Sequence, residues 1–371
     1  MTIELSAVVM THPLRLVAAR DLQRRHPELA LEVVLDPEPG HWRRSPLRTA
    51  RAAWRSAPPD ATHHLVVQDD VVLCPDFLDH VRCAIATAPT AALSFFTEWG
   101  SYTSFGLRLA ALSTSSWVEA ADSYLPTQAA VLPTELASGF DDYAAREAGR
   151  ERMDDVVLLD YVRRLGVPAL VSVPNLVQHD DTASLVGHEH FGPRRSACYA
   201  PAIPTPPCWS GGVTAPTLIP VMHQETHLAL CHLRPSADRH DWSRMRTERL
   251  LSDHGLDPDA LDAALERTLA GIERGSEAGE AIGTPLLRGS WHTSVALGLA
   301  LSRLWAETGH ARPLAEALAD PVASAALSTM PAGVLRRVLP EEMLAEITAP
   351  LTALVRGGLM VGFTASARLR W

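Results

Sequence analysis

The chain has 371 residues, of which 47% are hydrophobic and 20% are charged, so it can bury the core of one large domain or of two. Its formal net charge is −10, and all 33 of its basic residues are arginines. This acidic balance argues against general nucleic-acid binding, which needs a basic surface. The five cysteines show no zinc-binding spacing, and neither a signal peptide nor a bilayer-spanning stretch is evident. We therefore expect a soluble, cytoplasmic protein.

The first hundred residues alternate between short β-branched runs and segments with apolar residues at helical spacing. The predicted strands cover residues 3–10, 29–35, 64–73 and 91–96, and the predicted helices cover 14–25, 45–56 and 76–86. This alternation predicts an α/β fold with a largely parallel sheet and right-handed crossovers. Ligands of such sheets bind at the carboxyl ends of the strands, where the polar residues of this region stand.

The third predicted strand contains the most informative segment, in which Gln68, Asp69 and Asp70 interrupt two apolar runs. Side chains alternate across a strand, so Gln68 and Asp70 share one face and Asp69 points to the other. Burying adjacent carboxylates costs several kcal/mol unless they are compensated. A divalent cation with oxygen ligands would compensate them, with Asp70 as the direct ligand. The alternative is a strand-end turn whose carboxylates are solvated.

Two further acidic segments lie in residues 97–200, after a glycine- and serine-rich loop at 100–106. Asp154 and Asp155 stand at the start of a helix predicted over 155–165, where they could cap free amides or supply a general base. His179 lies in a polar loop after a strand predicted at 169–173, as a metal ligand or as an exposed histidine. Arg194 and Arg195, further along, could screen phosphate charge.

The remainder of the chain divides into a proline-rich segment and a helical segment. Residues 201–239 are predicted as a linker or cover segment, and helices are predicted at 257–275, 291–307, 313–327, 331–338 and 341–355. The apolar stripes of these helices favour packing against the first half of the chain or against a second copy in a homo-oligomer. The alternative role of these helices is recognition of a substrate.

Taken in order, the elements of residues 3–192 resemble a glycosyltransferase of the GT-A fold. The opening Thr11-His12-Pro13-Leu14-Arg15 resembles the nucleotide side of that family, and Asp36 stands where the family contacts the base or ribose. The run from Leu65 to Val71 is similar to the acidic metal motif of bacterial lipopolysaccharide-modifying transferases, although Gln68 replaces their usual carboxylate. Asp154-Asp155 resembles the pair that supplies an inverting enzyme's base. The run Leu176 to His179, followed by Ser184 and Gly187, resembles the late loop whose histidine completes the metal site.

The resemblance implies a GT-A-like, Rossmann-type, mostly parallel sheet at residues 1–200, a linker at 201–239 and a helical domain at 240–371. It implies an inverting transfer of a sugar from a nucleotide diphosphate donor, a UDP-sugar, to an acceptor hydroxyl. Mn²⁺ or Mg²⁺ would be held by Asp70 and His179, and Asp155 with Asp154 would supply the base. The residues implied in donor binding are Thr11, His12, Pro13, Arg15, Asp36, Gln68 and Asp69. Residues 97–106 are expected to close over the donor.

Two other functions stay open on the sequence. A nucleotidyltransferase of sugar phosphates would share the sheet and the metal-binding aspartate, but its glycine-rich first loop is replaced here by Thr11-His12-Pro13. A catalytically degenerate scaffold of the same fold is the second, and Gln68 favours it because an amide brings no negative charge to a cation. The sequence does not identify the donor sugar or the acceptor.

Overall fold

We describe the protein from a computed structural model, which gives residues 2–41, 45–147, 152–180, 192–203, 207, 209, 212–223, 225–310 and 312–366. Its strands are β1 (Leu5–Thr11), β2 (Glu32–Leu35), β3 (His63–Gln68), β4 (Val71–Leu73), β5 (Ala92–Ser94), β6 (Trp117–Glu119), β7 (Ala129–Pro133), β8 (Ala169–Ser172), β9 (Val177–His179), β10 (Val213–Thr214), β11 (Leu218–Met222), β12 (Ala229–Leu233) and β13 (Ser243–Arg246). Its helices are α1 (Leu16–Arg25), α2 (Pro46–Arg55), α3 (Phe77–Thr87), α4 (Tyr102–Leu112), α5 (Thr134–Glu147), α6 (Asp154–Arg164), α7 (Thr247–Asp253), α8 (Pro258–Ala270), α9 (Gly275–Ile282), α10 (Thr284–Thr308), α11 (Leu314–Ala319), α12 (Pro321–Ser328), α13 (Met330–Leu335) and α14 (Glu341–Ser366).

The centre of the molecule is a sheet of eight of these strands, in the order β10-β6-β8-β5-β7-β3-β1-β2. The pairs β1–β2, β1–β3, β5–β8 and β6–β10 are parallel, whereas β3–β7, β5–β7 and β6–β8 are antiparallel. Strands β1 and β3 are apolar along most of their length because helices cover both faces of the sheet. The predicted α/β class with a mostly parallel sheet is confirmed.

The strand predicted over 64–73 is two strands in two sheets, so the prediction of one continuous strand is wrong. Strand β3 ends at Gln68, the chain bends at Asp69 and Asp70, and β4 leaves the main sheet. Strand β4 pairs antiparallel with β9, which sets Val71 opposite His179. The bend matters because the alternation of side chains across a strand no longer applies to the two aspartates.

Residues 97–106 do not form a loop that could close over a ligand, and that prediction is also wrong. Helix α4 begins at Tyr102, and its residues Thr103 to Leu112 are all buried. Gly106 permits a close approach, since a Cβ there would lie 3.2 Å from the side chain of Val118. The glycine and serines that indicated a mobile loop serve packing instead.

The segment predicted as a linker, 201–239, contains strand β10 at the edge of the main sheet and strands β11 and β12. Strands β11, β12 and β13 form a separate antiparallel sheet. The helices that follow share one hydrophobic core with the main sheet, since Val8 and Leu359 belong to the same buried cluster.

Helices α10 and α14 cross at very short range through glycine. A Cβ on Gly298 would lie 2.1 Å from the backbone oxygen of Leu359, and one on Gly362 would lie 1.8 Å from that of Val295. By length and composition alone, α14 could cross a membrane, with a mean hydropathy of 1.3 in its most apolar window. It is the one such helix among the described residues, and its Leu351 and Leu354 are buried in the core. The described part of the chain therefore holds no clear membrane span.

Candidate functional site

The predicted polar residues meet at one edge of the main sheet, where β1, β2 and β3 end. Strand β7 runs antiparallel to β3, so Thr127 and Gln128, which precede it, reach the same edge. A pocket with a cavity volume of about 170 Å³ opens there. Its lining consists of Met10, Thr11, His12, Arg15, Asp36, Ser45, Pro46, Thr49, Gln68, Asp69, Asp70, Thr127, Gln128, Met153, Asp154, Asp155 and Arg194.

Arg15 joins the two aspartates of the bend. Its Nη1 lies 3.1 Å from Asp69 Oδ1 and 2.9 Å from Asp70 Oδ2, and the Thr11 hydroxyl donates to the other oxygen of Asp69. Burial raises the pKa of Asp69, and the charge of Asp70 adds to this effect, while Thr11 and Arg15 oppose it. Both carboxylates therefore face one pocket and share the guanidinium of Arg15. This corrects the expectation that Asp69 points away from Asp70.

The turn after β1 positions Arg15. Pro13 begins a single helical turn, Pro13–Arg15, and the His12 imidazole accepts a hydrogen bond from the Leu14 amide through Nδ1 at 3.2 Å. Pro13 itself does not line the pocket. Its fixed φ favours the turn, so its part in the site is to orient its neighbours.

Asp36 lies at the end of β2 and is bound on both oxygens by Arg48 of α2. The two distances are 2.6 Å from Nε and 2.7 Å from Nη2, and the Glu38 amide donates to Asp36 at 3.0 Å. Burial alone would raise the pKa of Asp36, but these hydrogen bonds outweigh it and hold the pKa below its ordinary value. Asp36 thus stays ionised and keeps lone pairs for a further donor such as a ribose hydroxyl.

A chain of hydrogen bonds connects the end of β3 to the start of α6. Gln68 Nε2 donates to Thr127 Oγ1 at 3.0 Å, and Thr127 Oγ1 donates to Asp154 Oδ2 at 2.8 Å. Asp154 is only 4% exposed. The Gln68 amide is therefore a donor in a side-chain network, and its nitrogen is committed to Thr127. Asp154 therefore fixes the start of α6, and Asp155 is the aspartate of this pair that faces the open side of the pocket.

Asp155 is a carboxyl group of the pocket whose pKa lies near neutrality. Burial raises it first, the adjacent charge of Asp154 raises it further, and together they bring the pKa of Asp155 to about 7. Its Oδ1 accepts a hydrogen bond from the Val156 amide at 2.7 Å. A carboxylate with such a pKa is suited to take a proton from a substrate hydroxyl near pH 7.

His179 reaches the site through the pairing of β4 with β9 and lies behind Asp70. It is 3% exposed, so it is not the solvent-exposed loop histidine of the alternative interpretation. Its Nε2 lies 3.5 Å from Asp70 Oδ2 and 2.8 Å from Arg194 Nη2. The predicted meeting of His179 with Asp70 is confirmed, although the sequence did not predict Arg194 as its direct partner.

The donor atoms around Asp70 fit a divalent cation that takes its remaining ligands from bound phosphate and water. Asp70 Oδ1 is buried and has no hydrogen-bond partner among the described residues, which leaves a lone pair for a cation. No group of three or more His, Cys, Asp or Glu in metal-binding geometry occurs in the described part of the chain. Mg²⁺ commonly binds through one or two carboxylates and completes its shell with phosphate oxygens and water. Asp70 supplies one such carboxylate, whereas His179 Nε2 already contacts Arg194 Nη2 at 2.8 Å, so the two residues do not form a complete cage.

The structure brings together nearly every residue that the sequence predicted for the site. Thr11, His12, Arg15, Asp36, Gln68, Asp69, Asp70, Asp154 and Asp155 line the pocket. Ser184 and Gly187 lie outside the described residues. Sequence reasoning missed Arg48, Thr127 and Gln128. Thr127 and Gln128 stand directly before the apolar strand β7. This position indicates a place in the site only once β7 is known to run antiparallel to β3.

A second, larger cleft of about 650 Å³ adjoins this pocket and shares Gln128, Asp155 and Arg194 with it. Asp155 therefore stands at the boundary between the two spaces. No known protein-family model matches the chain, and no curated protein matches it significantly.

Proposed function

We propose that the protein is a glycosyltransferase that moves a sugar from a nucleotide diphosphate donor, expected to be a UDP-sugar, to an acceptor hydroxyl. The observation that carries the proposal is the position of Asp155, whose pKa is about 7, between the pocket and the adjoining cleft. The pocket would hold the donor and the cleft the acceptor. The resemblance of residues 3–192 to the GT-A fold and the α/β sheet support the same assignment.

The donor pocket has two arginines among five aspartates, so a nucleoside diphosphate would need an added cation there. Arg15 and Arg194 line it and would attract the phosphates, and Asp36 at the end of β2 would accept a ribose hydroxyl. Asp70 and His179 would hold Mn²⁺ or Mg²⁺. When bound, such a cation would supply positive charge to the departing diphosphate.

Asp155 would act as the general base. In its ionised form it would take the proton of the acceptor hydroxyl as that oxygen attacks the anomeric carbon. The new bond forms between the hydroxyl oxygen and that carbon while the bond to the diphosphate breaks, so a single displacement inverts the configuration. Asp154, bound to Thr127, would keep the first turn of α6 in place.

A screen of nucleotide sugars tests the proposal, with turnover measured as nucleotide release with and without Mn²⁺. We expect turnover by the wild-type protein and a loss of about 10²- to 10⁴-fold in Asp155→Asn, the usual contribution of a positioned base. Asp160→Asn is the matched control, because Asp160 lies on the same helix, pairs with Arg152 and does not line the pocket. Equal turnover in Asp155→Asn and Asp160→Asn would refute the assignment of the base.

Two further measurements separate the other two functions. Release of pyrophosphate from a nucleoside triphosphate and a sugar phosphate would identify a nucleotidyltransferase. Calorimetry that finds no binding of UDP, with or without Mn²⁺, would favour a scaffold. The position of Asp155 between the pocket and the cleft, together with its raised pKa, supports transfer over the scaffold.

A further inference from the structure

The cleft next to the donor pocket has a lining whose chemistry differs from that of the pocket. It is formed by the start of α4, the segment before β7, the small antiparallel sheet and the residues after α13. Only Gln128, Asp155 and Arg194 belong to both spaces. Anything bound in the cleft would therefore reach the proposed base from the side opposite the donor.

One wall of the cleft is aromatic and rigid. The rings of Tyr102 and His232 lie 4.3 Å apart between centroids, the His232 and Trp242 rings lie 6.5 Å apart, and the Arg234 guanidinium stacks on Trp242 at 4.7 Å. His232 is 4% exposed. Its Nε2 and the Trp242 Nε1 are buried without a hydrogen-bond partner among the described residues. Flat apolar faces beside unsatisfied polar atoms suit a sugar, whose ring has C–H faces and a rim of hydroxyls.

The rest of the lining is rich in cations, in a chain whose net charge is −10. The cleft is lined by Arg163, Arg194, Arg244, Arg336 and Arg337, against the acids Glu98, Asp122, Asp155 and Glu225. Two of these acids are already engaged. Glu98 pairs with Arg336 at 2.7 Å, and Asp122 accepts hydrogen bonds from two amides at the start of α4, both at 2.9 Å. With five arginines against four acids, the lining has a formal excess of one positive charge.

Two of the arginines are well placed to bind an anion. Arg244 pairs through its backbone with His232 of β12, and its side chain makes no hydrogen bond or ion pair with any described residue. Burial and the adjacent charge of Arg336 lower the pKa of Arg337, while the charges of Glu225 and Glu98 oppose this effect, and an anion bound at this wall would oppose it further. Both side chains line the cleft, Arg244 from β13 and Arg337 from the residues after α13.

We propose that this cleft is the acceptor site and that it selects a sugar carrying a phosphate or carboxylate group, with its ring on the aromatic wall and its anion on Arg244 and Arg337. The inference depends on the proposed transfer reaction, because Asp155 would take the proton from a hydroxyl of this sugar. A neutral acceptor would leave the arginine excess without a role.

Calorimetry with three probes tests the inference on the full chain in the presence of UDP. The probes are glucose 6-phosphate, glucuronate and glucose, which share a ring and differ in the anion. We expect at least one anionic probe to bind about tenfold tighter than glucose, and Arg244→Gln and Arg337→Gln each to remove about tenfold of that affinity. Arg246→Gln is the matched control, since Arg246 is on the same strand and does not line the cleft. Arg244 is exposed, so its replacement does not threaten folding.

The outcomes separate the inference from the proposed function. Binding of glucose 6-phosphate alone identifies a phosphate group, and binding of glucuronate alone identifies a carboxylate. Equal affinity for glucose, or equal effects of Arg244→Gln and Arg246→Gln, would overturn the inference even if the protein turns over nucleotide sugars. Anionic-sugar binding without turnover of any nucleotide sugar would overturn the acceptor role and the transfer reaction together, and would leave only an anion-binding cleft.

Discussion

Replacing Arg15 with alanine tests whether this arginine compensates the two carboxylates at the bend after β3. The side chains of Arg15, Asp69 and Asp70 are 16%, 8% and 11% exposed, so all three lie largely out of water. Removing one partner of a buried ion pair costs about 3–5 kcal/mol, because the remaining charge loses its compensation. The residual exposure and the hydrogen bond from Thr11 to Asp69 reduce this cost. We expect the free energy of unfolding to fall by about 3 kcal/mol at pH 7.5.

The loss should depend on pH in a definite direction. The pKa of Asp69 is already raised above the unfolded value by burial, and removing Arg15 raises it further. A carboxyl group with a raised folded pKa destabilises the protein where it must be ionised, at neutral and higher pH. The destabilisation is relieved as the pH falls through the folded pKa, by up to about 1.4 kcal/mol per pH unit for each proton taken up.

Urea denaturation at pH 7.5 and at pH 5.5 measures both effects. Arg24→Ala is the matched control, because Arg24 lies on α1, pairs with Asp21 and is 73% exposed. An exposed pair of this kind contributes about 0.2–1 kcal/mol, and its loss should change little between the two pH values. A loss in Arg15→Ala no larger than that in Arg24→Ala, or one that does not shrink as the pH falls through the folded pKa of Asp69, would refute the compensation argument. Recovery of stability in Arg15→Ala on adding Mn²⁺ would further indicate that the two carboxylates can hold a cation.

Three further predictions concern the base, the ribose-side carboxylate and the helix crossing. Because the pKa of Asp155 is about 7, kcat/KM should rise with pH through neutrality and level off above it, and a flat profile from pH 5.5 to 8.5 would contradict its role as the base. Asp36→Asn should lower the free energy of unfolding at pH 7 by about 1–3 kcal/mol, and the difference should disappear as the pH falls through the depressed pKa of Asp36; stability curves from pH 3 to 7 measure it. Gly362→Ala should cost about 1–3 kcal/mol or more, because the added Cβ would lie 1.8 Å from a backbone oxygen of α10, whereas Gly271→Ala, with its nearest contact at 3.6 Å, should be nearly neutral in thermal denaturation.

Much of the site was predictable because its residues follow locally recognisable strands. The apolar runs before Thr11, Asp36 and Gln68 predict buried strands, and parallel strands bring their carboxyl ends to one edge. That rule alone places Thr11, Asp36 and Asp69 in one pocket. Helix starts were also predictable, and Asp257 caps α8 by accepting a hydrogen bond from the Ala260 amide at 3.1 Å.

The wrong predictions arose where distant contacts decide the structure. The bend at Asp69 is stabilised by Arg15, which is 54 residues away, and strand β4 pairs with β9 about a hundred residues later. The glycine at position 106 suggested a mobile loop, but in the fold it is where α4 approaches Val118. A local pattern does not distinguish these cases, because glycine serves flexibility and close packing equally well.

Residue order alone determined the alternation of strands and helices, the acidic segments and the edge at which they gather, because these depend on side-chain periodicity within a few residues. The tertiary structure alone decided the direction of β7 and the contact of Arg15 with Asp69 and Asp70. It also decided the placement of Asp155 between two cavities and the aromatic wall with arginines beside it. Each of these depends on segments tens to hundreds of residues apart in sequence. Their proximity follows from burial of a shared core, which no local pattern encodes.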